Sequence, residues 1–362
     1  MSESIFKPDW VSPPGQTVAD ILGERGCSLA EFARRMGCTP KEVSKLLKGG
    51  ARISAETAHK LELVLGATAD FWMTREAQYR GTVIRQEKMR SKDEEDWLKQ
   101  LPIKDMRQRG WLDEKLFASD PLAACLHFFG VADLKAWHTT YGDILERAAF
   151  RTSRTLDSRP ASVAAWLRQG EIESASINCK TWDPKGFRTA LLELRFLTRK
   201  RDPKVFLPEL TARCAEYGVA VVIVRTPAGC RASGATRFPS PDKALLLLSF
   251  RYLSDDHFWF TFFHEAGHLL IHSKKALFLE AEEISSFEEN EANEFSARIL
   301  VSPEFREKLG RLRIDRHEIR AFAKIVGVSP GIVVGQLQHL GLAGRNQFNT
   351  LKARFQWGNC ND

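Results

Sequence analysis

The sequence predicts an α+β protein with a helical N-terminal domain, a helical middle region and a C-terminal domain that adds a small mixed sheet. Three features indicate this class. Two helix-capping patterns follow each other within residues 28–42. Helical patterns with charged breaks fill residues 81–190. Short apolar or alternating runs bounded by Gly and Pro then occupy residues 218–252. The resulting domains are 1–80, 81–190, 191–310 and 311–362.

Composition and charge restrict what the chain can be. It has 362 residues, a net charge of +7 and seven cysteines, an odd number without a C-x-x-C pair. A disulfide framework and a cysteine zinc site are therefore both disfavoured. The longest apolar runs, such as Ala244–Leu248 and Phe258–Phe263, are far shorter than the roughly 20 residues needed to cross a bilayer. We expect a cytoplasmic protein that has no membrane partner.

Residues 28–47 predict two short helices joined by a tight turn. Ser28–Glu31 has capping-box spacing, so the first helix begins there, and Gly37 can supply the positive φ that ends it. Thr39–Glu42 is a second capping box with Pro at the first helical position, where a missing N–H costs nothing. Two such helices form a helix-turn-helix.

The second helix of this pair turns a basic face outward. Its apolar residues Val43, Leu46 and Leu47 point inward. Between residues 34 and 52, six basic residues face only one acidic residue. A face of this kind can enter a DNA major groove. The alternative is an ordinary helical hairpin with a solvated lysine face. The outward residues of the helix are Pro40, Lys41, Ser44, Lys45 and Lys48.

The run ILGERGCSLAEFARRMGCTPKEVSKLLKGGARISAETAHKLELVLGATADFW resembles the Cro/repressor-type helix-turn-helix of HigA-like antitoxins and related regulators. The resemblance covers nearly all of residues 12–80. It implies a homodimer that binds a double-stranded DNA operator at half-sites one helical turn apart. By this match, the base-facing start of the recognition helix carries Thr39, Lys41, Ser44 and Lys45. Two further residues are better placed for phosphates, Lys48 and Arg52.

Residues 81–190 predict a helical connector that also serves dimerisation. Charged breaks interrupt the helical patterns, among them Lys92–Asp96 and Arg151–Pro160. Tryptophans recur at unequal intervals without forming a repeat. We interpret these aromatic residues as core and not as a ligand cage. They are Trp97, Trp111, Trp137, Trp166 and Trp182.

The strongest motif is FWFTFFHEAGHLLIH, residues 258–272. On a helix, His264 and His268 lie one turn apart on the same face, so both imidazoles can bind one Zn²⁺. Glu265 can take a proton from the attacking water and pass it to the leaving amine. His272 lies one further turn along, and we expect it to support the ligands from behind or to belong to the core.

A zinc site of this kind needs a third protein ligand. A histidine at position 274 could supply it, but the residue there is Lys274. A glutamate from the Glu-rich segment that follows is the alternative. Glu289 can bind zinc while Asn293, one helical turn later, supports a ligand histidine. Glu288 and Glu291 remain open as ligands, because spacing alone does not fix the phase of the helix.

The motif and the later run EENEANEFSARILVSP resemble the ImmA/IrrE-type metallopeptidase family. The family pattern is a gluzincin-like HExxH followed by E-x-x-A-[ND]-x-F-A, with Ser296 here in place of the last Ala. Coverage is about residues 190–305, including GVAVVIV, ASGATRF and ALLLLSFRY as strands. The resemblance implies a zincin-like fold, a Zn²⁺ cofactor, Glu289 as third ligand and zinc endopeptidase activity on a protein or peptide.

Residues 322–337, FAKIVGVSPGIVVGQL, echo residues 32–47, FARRMGCTPKEVSKLL. A second DNA-reading helix would need basic and polar residues on its face. This copy has Gly331, Val334 and Gly335 there instead. We therefore expect residues 311–362 to form helices that pack on the peptidase domain.

The two resemblances together predict a DNA-binding transcriptional regulator that carries a zinc-dependent peptidase module. Such a protein would repress an operon and cleave a repressor, an antitoxin or itself on a stress or phage signal. The alternative is an antitoxin-like or repressor protein whose zincin domain is inactive and serves as a sensor. The intact Glu265 argues against that alternative, because a sensor needs no base beside the metal.

Overall fold

The computed structural model describes residues 12–87, 92–151, 159–272, 278–279 and 287–357. Its internal contacts divide the chain into two compact units, Met1–Ser91 and Lys92–Asp362. The division falls about a helix length after the boundary predicted at residue 80. The further separation of the second part into connector, peptidase domain and C-terminal helices stays a prediction.

The first unit is helical throughout its described residues. Phe32, Val43, Leu61 and Trp72 are buried at its centre, where the helices meet. Gly15 allows the first and third helices to touch, because a Cβ there would lie 2.2 Å from the carbonyl oxygen of Leu46. The helices are α1 (Pro14–Glu24), α2 (Leu29–Met36), α3 (Pro40–Leu47), α4 (Ala55–Leu65) and α5 (Ala69–Glu87).

The predicted helix caps of this unit are confirmed. The Ser28 hydroxyl accepts from the backbone N–H of Glu31, and Gly37 ends α2 with φ of +63°. At the start of α3, Thr39 and Glu42 make both reciprocal hydrogen bonds of a capping box. These local bonds satisfy N–H groups that a short helix leaves unpaired, so they fix where each helix begins.

The second unit combines helices with a mixed sheet. The sheet has the strand order β1-β3-β2-β4, in which β1 and β3 are parallel and the other pairs are antiparallel. This arrangement confirms the predicted α+β class. The strands are β1 (Val219–Ile223), β2 (Gly234–Ser240), β3 (Lys243–Leu248) and β4 (Phe278–Leu279).

The helices of the second unit fall into two groups along the chain. Before the sheet come α6 (Lys92–Gln100), α7 (Ile103–Gln108), α8 (Glu114–Ser119), α9 (Pro121–Phe129), α10 (Leu134–Arg151), α11 (Pro160–Ala175), α12 (Pro184–Leu194) and α13 (Pro203–Ala215). The later helices are α14 (Asp255–Ile271), α15 (Phe287–Leu300), α16 (Pro303–Gly310), α17 (Arg316–Val326) and α18 (Pro330–His339). Short 3₁₀ helices span Arg195–Arg199 and Asn349–Leu351.

The sheet is buried on both faces. In β3, Leu246 and Leu248 face a core formed with α12–α18. Leu245 and Leu247 alternate with them and face a second core, formed with α6, α7 and α9–α11. Trp166 of α11 closes this second core with a 2.9 Å hydrogen bond from its indole N–H to the Val224 carbonyl. The helices predicted as a connector therefore cover one face of the sheet.

The echo between residues 32–47 and 322–337 is a real helix pair. α17 ends at Gly327 with φ of +84°, and the Ser329 hydroxyl accepts from the N–H of Ile332 to cap α18. Most of α18 is buried, and it packs against α14. Because α18 is mostly buried against α14, it does not present an exposed face that could enter a DNA groove, as the sequence predicts.

The two glycines of α18 let the first turn of α14 come close. A Cβ on Gly331 would lie 2.3 Å from an oxygen of Asp255. The Asp255 carboxylate accepts hydrogen bonds from the Ser329 hydroxyl and the Ala353 N–H. It is only 3% exposed. Burial raises the pKa of Asp255 to about 6, because these donors offset only part of the lost hydration.

We predict that Asp255→Asn changes how the stability of the second unit depends on pH. A folded pKa of about 6 against an ordinary 3.8 means that the folded state holds this proton more tightly. The stability from Asp255 is therefore fully present below pH 3.8 and is lost as pH rises through 6. When the pH is lowered from 7.5 to 4, the free energy of unfolding of wild type should rise by up to about 3 kcal/mol relative to that of the variant.

Denaturant unfolding of both proteins at the two pH values measures this gain. Asp242→Asn, which removes an exposed carboxylate from the same unit, serves as the control. An equal difference between wild type and Asp255→Asn at both pH values would contradict the prediction.

Candidate metal centre and nucleic-acid interface

The surface of α3 in the first unit is basic and exposed. Lys41, Lys45, Lys48 and Arg52 are all exposed. In the part of the chain that the structure describes, none of the four has an ion-pair partner. Other cations of this unit differ, since Arg35 pairs with a glutamate one turn away. The four unpaired charges are therefore free to neutralise phosphates.

Two of the predicted DNA-binding residues are less available for contacts with DNA. The Thr39 hydroxyl is exposed but occupied, because it donates to Glu42 Oε2 at 2.8 Å and accepts from the Glu42 N–H. Ser44 is half-buried. The structure thus brings all six predicted residues to one region of the unit, with the lysines and Arg52 as its most available members.

Three side chains of the HExxH motif lie in the C-terminal half of α14 and are buried in the protein. His264 and His268 are 1% and 2% exposed, and Glu265 between them is fully buried. The two Nε2 atoms lie 2.9 Å apart. The helix repeat places the imidazoles on one face, as the spacing predicts, and the hydrophobic residues around them exclude water from the other sides.

Glu289 of α15 completes a group of three. Its Oε2 lies 3.2 Å from His264 Nε2 and 3.7 Å from His268 Nε2. α15 packs closely on α14 at Gly267, where a Cβ would lie 3.1 Å from Phe295 Cδ1 and 3.4 Å from Ala292 Cα. A tetrahedral zinc with bonds of about 2.0–2.1 Å keeps its ligands about 3.3 Å apart, and the three separations bracket that value. Two imidazoles and one carboxylate are also a donor set that zinc accepts.

The other two glutamates left open by the sequence lie elsewhere. Glu288 is exposed. Glu291 contacts His272, with 3.2 Å between Oε2 and Nε2. Among the described residues, Glu289 is therefore the carboxylate that meets the histidine pair.

A second layer of polar groups fixes both imidazoles. Asn293 Oδ1 lies 3.0 Å from His264 Nδ1, and His272 Nδ1 lies 2.9 Å from His268 Nδ1. When Nε2 binds a metal, Nδ1 keeps its proton and donates a hydrogen bond to these partners. His272 then has its Nε2–H available for Glu291, which gives a continuous chain of hydrogen bonds. Asn293 and His272 thus lie where the sequence predicts support for the ligands.

The protonation states of the group favour metal binding. Burial raises the pKa of Glu289, but hydrogen bonds from His264 and His268 outweigh it, so the pKa lies well below its ordinary value. Burial is the main cause that lowers the pKa of His268. A carboxylate anion and a neutral imidazole are the forms that act as ligands.

Gly234 is a residue of the site that sequence analysis did not identify. It begins β2, and a Cβ there would lie 2.5 Å from Glu265 Oε1. Only a glycine lets this backbone pass the carboxylate. An isolated glycine inside an alternating strand is a known sign of close backbone approach, so ASGATRF did contain the signal.

Ser296 has a simple structural explanation. It is buried on α15, and its hydroxyl donates to the carbonyl oxygen of Phe260 at 2.9 Å. The hydroxyl therefore joins α15 to α14, and its hydrogen bond satisfies a polar group that is buried between the two helices.

No helix among the described residues is long and apolar enough to cross a membrane. The fold and the two sites define a helix-turn-helix domain and a zincin-like domain on one chain. Comparison with known families agrees with this. Residues 18–72 match the Helix-turn-helix family, and residues 217–337 match the IrrE N-terminal-like domain. The second match runs through α17 and most of α18, beyond the extent seen from the motifs. The chain therefore joins a Helix-turn-helix domain to an IrrE N-terminal-like domain.

One curated relative is the uncharacterized HTH-type transcriptional regulator YddM of Escherichia coli (strain K12). It is 40% identical to this chain over 60 residues, which are 17% of this chain and 64% of the relative. The chain thus covers less than two thirds of the relative's length.

Proposed function

We propose that the protein is a DNA-binding transcriptional regulator whose second unit is a zinc-dependent endopeptidase. The observation that carries this is the buried group of His264, His268 and Glu289 with Glu265 beside it on the same helix. In this function the protein represses an operon. It cleaves a repressor, an antitoxin or itself when a stress or phage signal arrives.

The residues divide the peptidase work between them. His264, His268 and Glu289 would hold Zn²⁺, which supplies Lewis-acid polarisation of the scissile carbonyl and acidification of water. Glu265 takes the proton of the attacking water and delivers it to the leaving amine. Asn293 and His272 keep the two imidazoles in the required orientation through their Nδ1 atoms.

The DNA-binding part of the proposal is supported by the exposed, unpaired cations of α3 and by the description of the relative as a transcriptional regulator. Domains of this kind bind as dimers, so we propose a homodimer on a two-fold related operator. Lys41 and Lys45 would meet bases, and Lys48 and Arg52 would meet phosphates.

Zinc content tests the metal site directly. We predict one bound zinc per chain in wild type. In Glu289→Ala the zinc affinity should fall by more than the roughly 10–100-fold that is lost when a residue supporting a ligand is removed. Glu288→Ala is the matched control, because it removes the neighbouring exposed glutamate. Equilibrium dialysis followed by metal analysis gives the answer, and equal zinc in all three proteins would refute the assignment.

The enzyme assignment has a separate test. Zinc-loaded wild type is incubated with candidate repressors, candidate antitoxins and a second preparation of the chain itself, and products are identified by mass spectrometry. A defined cleavage product supports a peptidase. Bound zinc with no cleavage under any inducing condition would instead indicate an inactive zincin domain that acts as a sensor.

A further inference from the structure

A cavity lies in the second unit, away from the histidine group. Its volume is about 270 Å³. It is lined by the first turn of α14, by α17, by the start of α18 and by the end of the 3₁₀ helix before α13. The side chains that matter for its chemistry are Arg199, Arg201, Asp255, Arg320, Lys324 and Ser329.

Four cations converge on this cavity. Arg320 and Lys324 are one turn apart on α17, Arg199 ends the 3₁₀ helix, and Arg201 follows it in the chain. Within the described ranges, none of the four has an ion-pair partner. Like charges one turn apart on a helix repel each other, so their convergence is unfavourable until an anion joins them. The arrangement therefore favours a ligand with several negative charges.

Asp255 is the only acidic side chain among the residues that line the cavity. Its single negative charge can offset only one of the four cations, and its oxygens are held by hydrogen bonds from the Ser329 hydroxyl and from the Asp256 and Ala353 N–H groups. Ser329 also marks the start of α18, whose N-terminal end adds partial positive charge to the same wall. The balance of charge at the cavity remains positive.

We propose that this cavity binds a small molecule that carries a phosphate monoester. Three arginines and a lysine match the several oxygens of a phosphate, and guanidinium groups bind such oxygens in pairs. The space is close to the roughly 300–1,000 Å³ of ordinary small-molecule sites. Double-stranded DNA fits less well, because the cavity is concave and α18 is buried against α14.

The position of the cavity gives the ligand a way to affect the peptidase site. Asp255 lies in the first turn of α14, and the same helix carries His264 and His268 about two and a half and three and a half turns later. A ligand held between α17 and the start of α14 stabilises the packing of the two helices. The site is thus placed to regulate the second unit, although its existence does not depend on cleavage.

Binding is tested with the full zinc-loaded chain and three probes: adenosine 5′-monophosphate, inorganic phosphate and uncharged adenosine. We expect adenosine 5′-monophosphate to bind by calorimetry and to raise the unfolding temperature, while adenosine does neither. The variant Arg320→Ala/Lys324→Ala should weaken that binding by about tenfold or more, since two charge-assisted contacts are lost. Binding of inorganic phosphate alone would assign the site to the free ion.

The control is Lys180→Ala/Lys185→Ala, which removes two exposed cations of the same unit from outside the cavity. It should bind adenosine 5′-monophosphate as wild type does. The charge-reversal variant Lys324→Glu, at an exposed position, checks the result if the double variant folds poorly. Equal affinity in wild type and Arg320→Ala/Lys324→Ala would overturn the proposal. So would a short DNA duplex whose binding, unlike that of the nucleotide, is lost in that variant.

Discussion

Glu265→Gln is expected to abolish peptide cleavage and to leave zinc bound. Glutamine has the shape of glutamate but cannot take up the proton of the attacking water, so the rate should fall by about 10²–10⁴-fold. The side chain is fully buried against Gly234, where an isosteric change preserves packing. The metal ligands themselves are not altered.

Parallel measurements of zinc content and cleavage rate separate the two effects. His264→Ala is the opposite control, because it removes a ligand and should lose zinc and cleavage together. If Glu265→Gln cleaved at the wild-type rate, Glu265 would not be the base. If it lost zinc as His264→Ala does, the buried carboxylate would instead be needed to build the site.

The double variant Lys41→Ala/Lys45→Ala is expected to abolish specific DNA binding. Both residues are exposed on α3 without an ion-pair partner in the described residues, so each is available for a contact that nothing replaces. A lost base contact costs about 1–3 kcal/mol, so two together lower the affinity by about 30-fold or more. Fluorescence anisotropy with DNA from upstream of the protein's own coding region gives this affinity.

Arg35→Ala/Lys60→Ala is the matched control for charge. It removes the same number of cations from the same unit, but both are already paired, with Glu31 and Glu56. The control should bind DNA much more tightly than the α3 variant. Unchanged affinity of Lys41→Ala/Lys45→Ala at physiological salt would refute the assignment of α3 as the recognition helix.

Local features of the fold were predictable from the sequence. The caps at Ser28 and Thr39 follow from residues three positions apart, so no knowledge of the tertiary fold is needed. The same holds for His264 and His268, whose relation is set by one turn of a single helix. β1, β2 and β3 were evident as apolar or alternating runs between glycines and prolines, whereas the two-residue β4 was not predicted.

Features that depend on two distant segments were not predictable in this way. The choice among Glu288, Glu289 and Glu291 depends on how α15 rotates against α14, where Gly267 lies against Ala292 and Phe295. The role of the middle region depends on the second buried face of β3. A run of leucines shows that both faces of a strand are buried, but it does not show which helices cover each face. The family match then extended the domain to α18.

The three candidate ligands come from two helices that only folding brings together. An unfolded chain offers no such site, so zinc held by the three would add its binding energy to the stability of the folded second unit. A chain without that metal would be less stable and more open to cellular proteases. We therefore expect zinc supply to set how long each copy survives in the cell, independently of any signal that triggers cleavage.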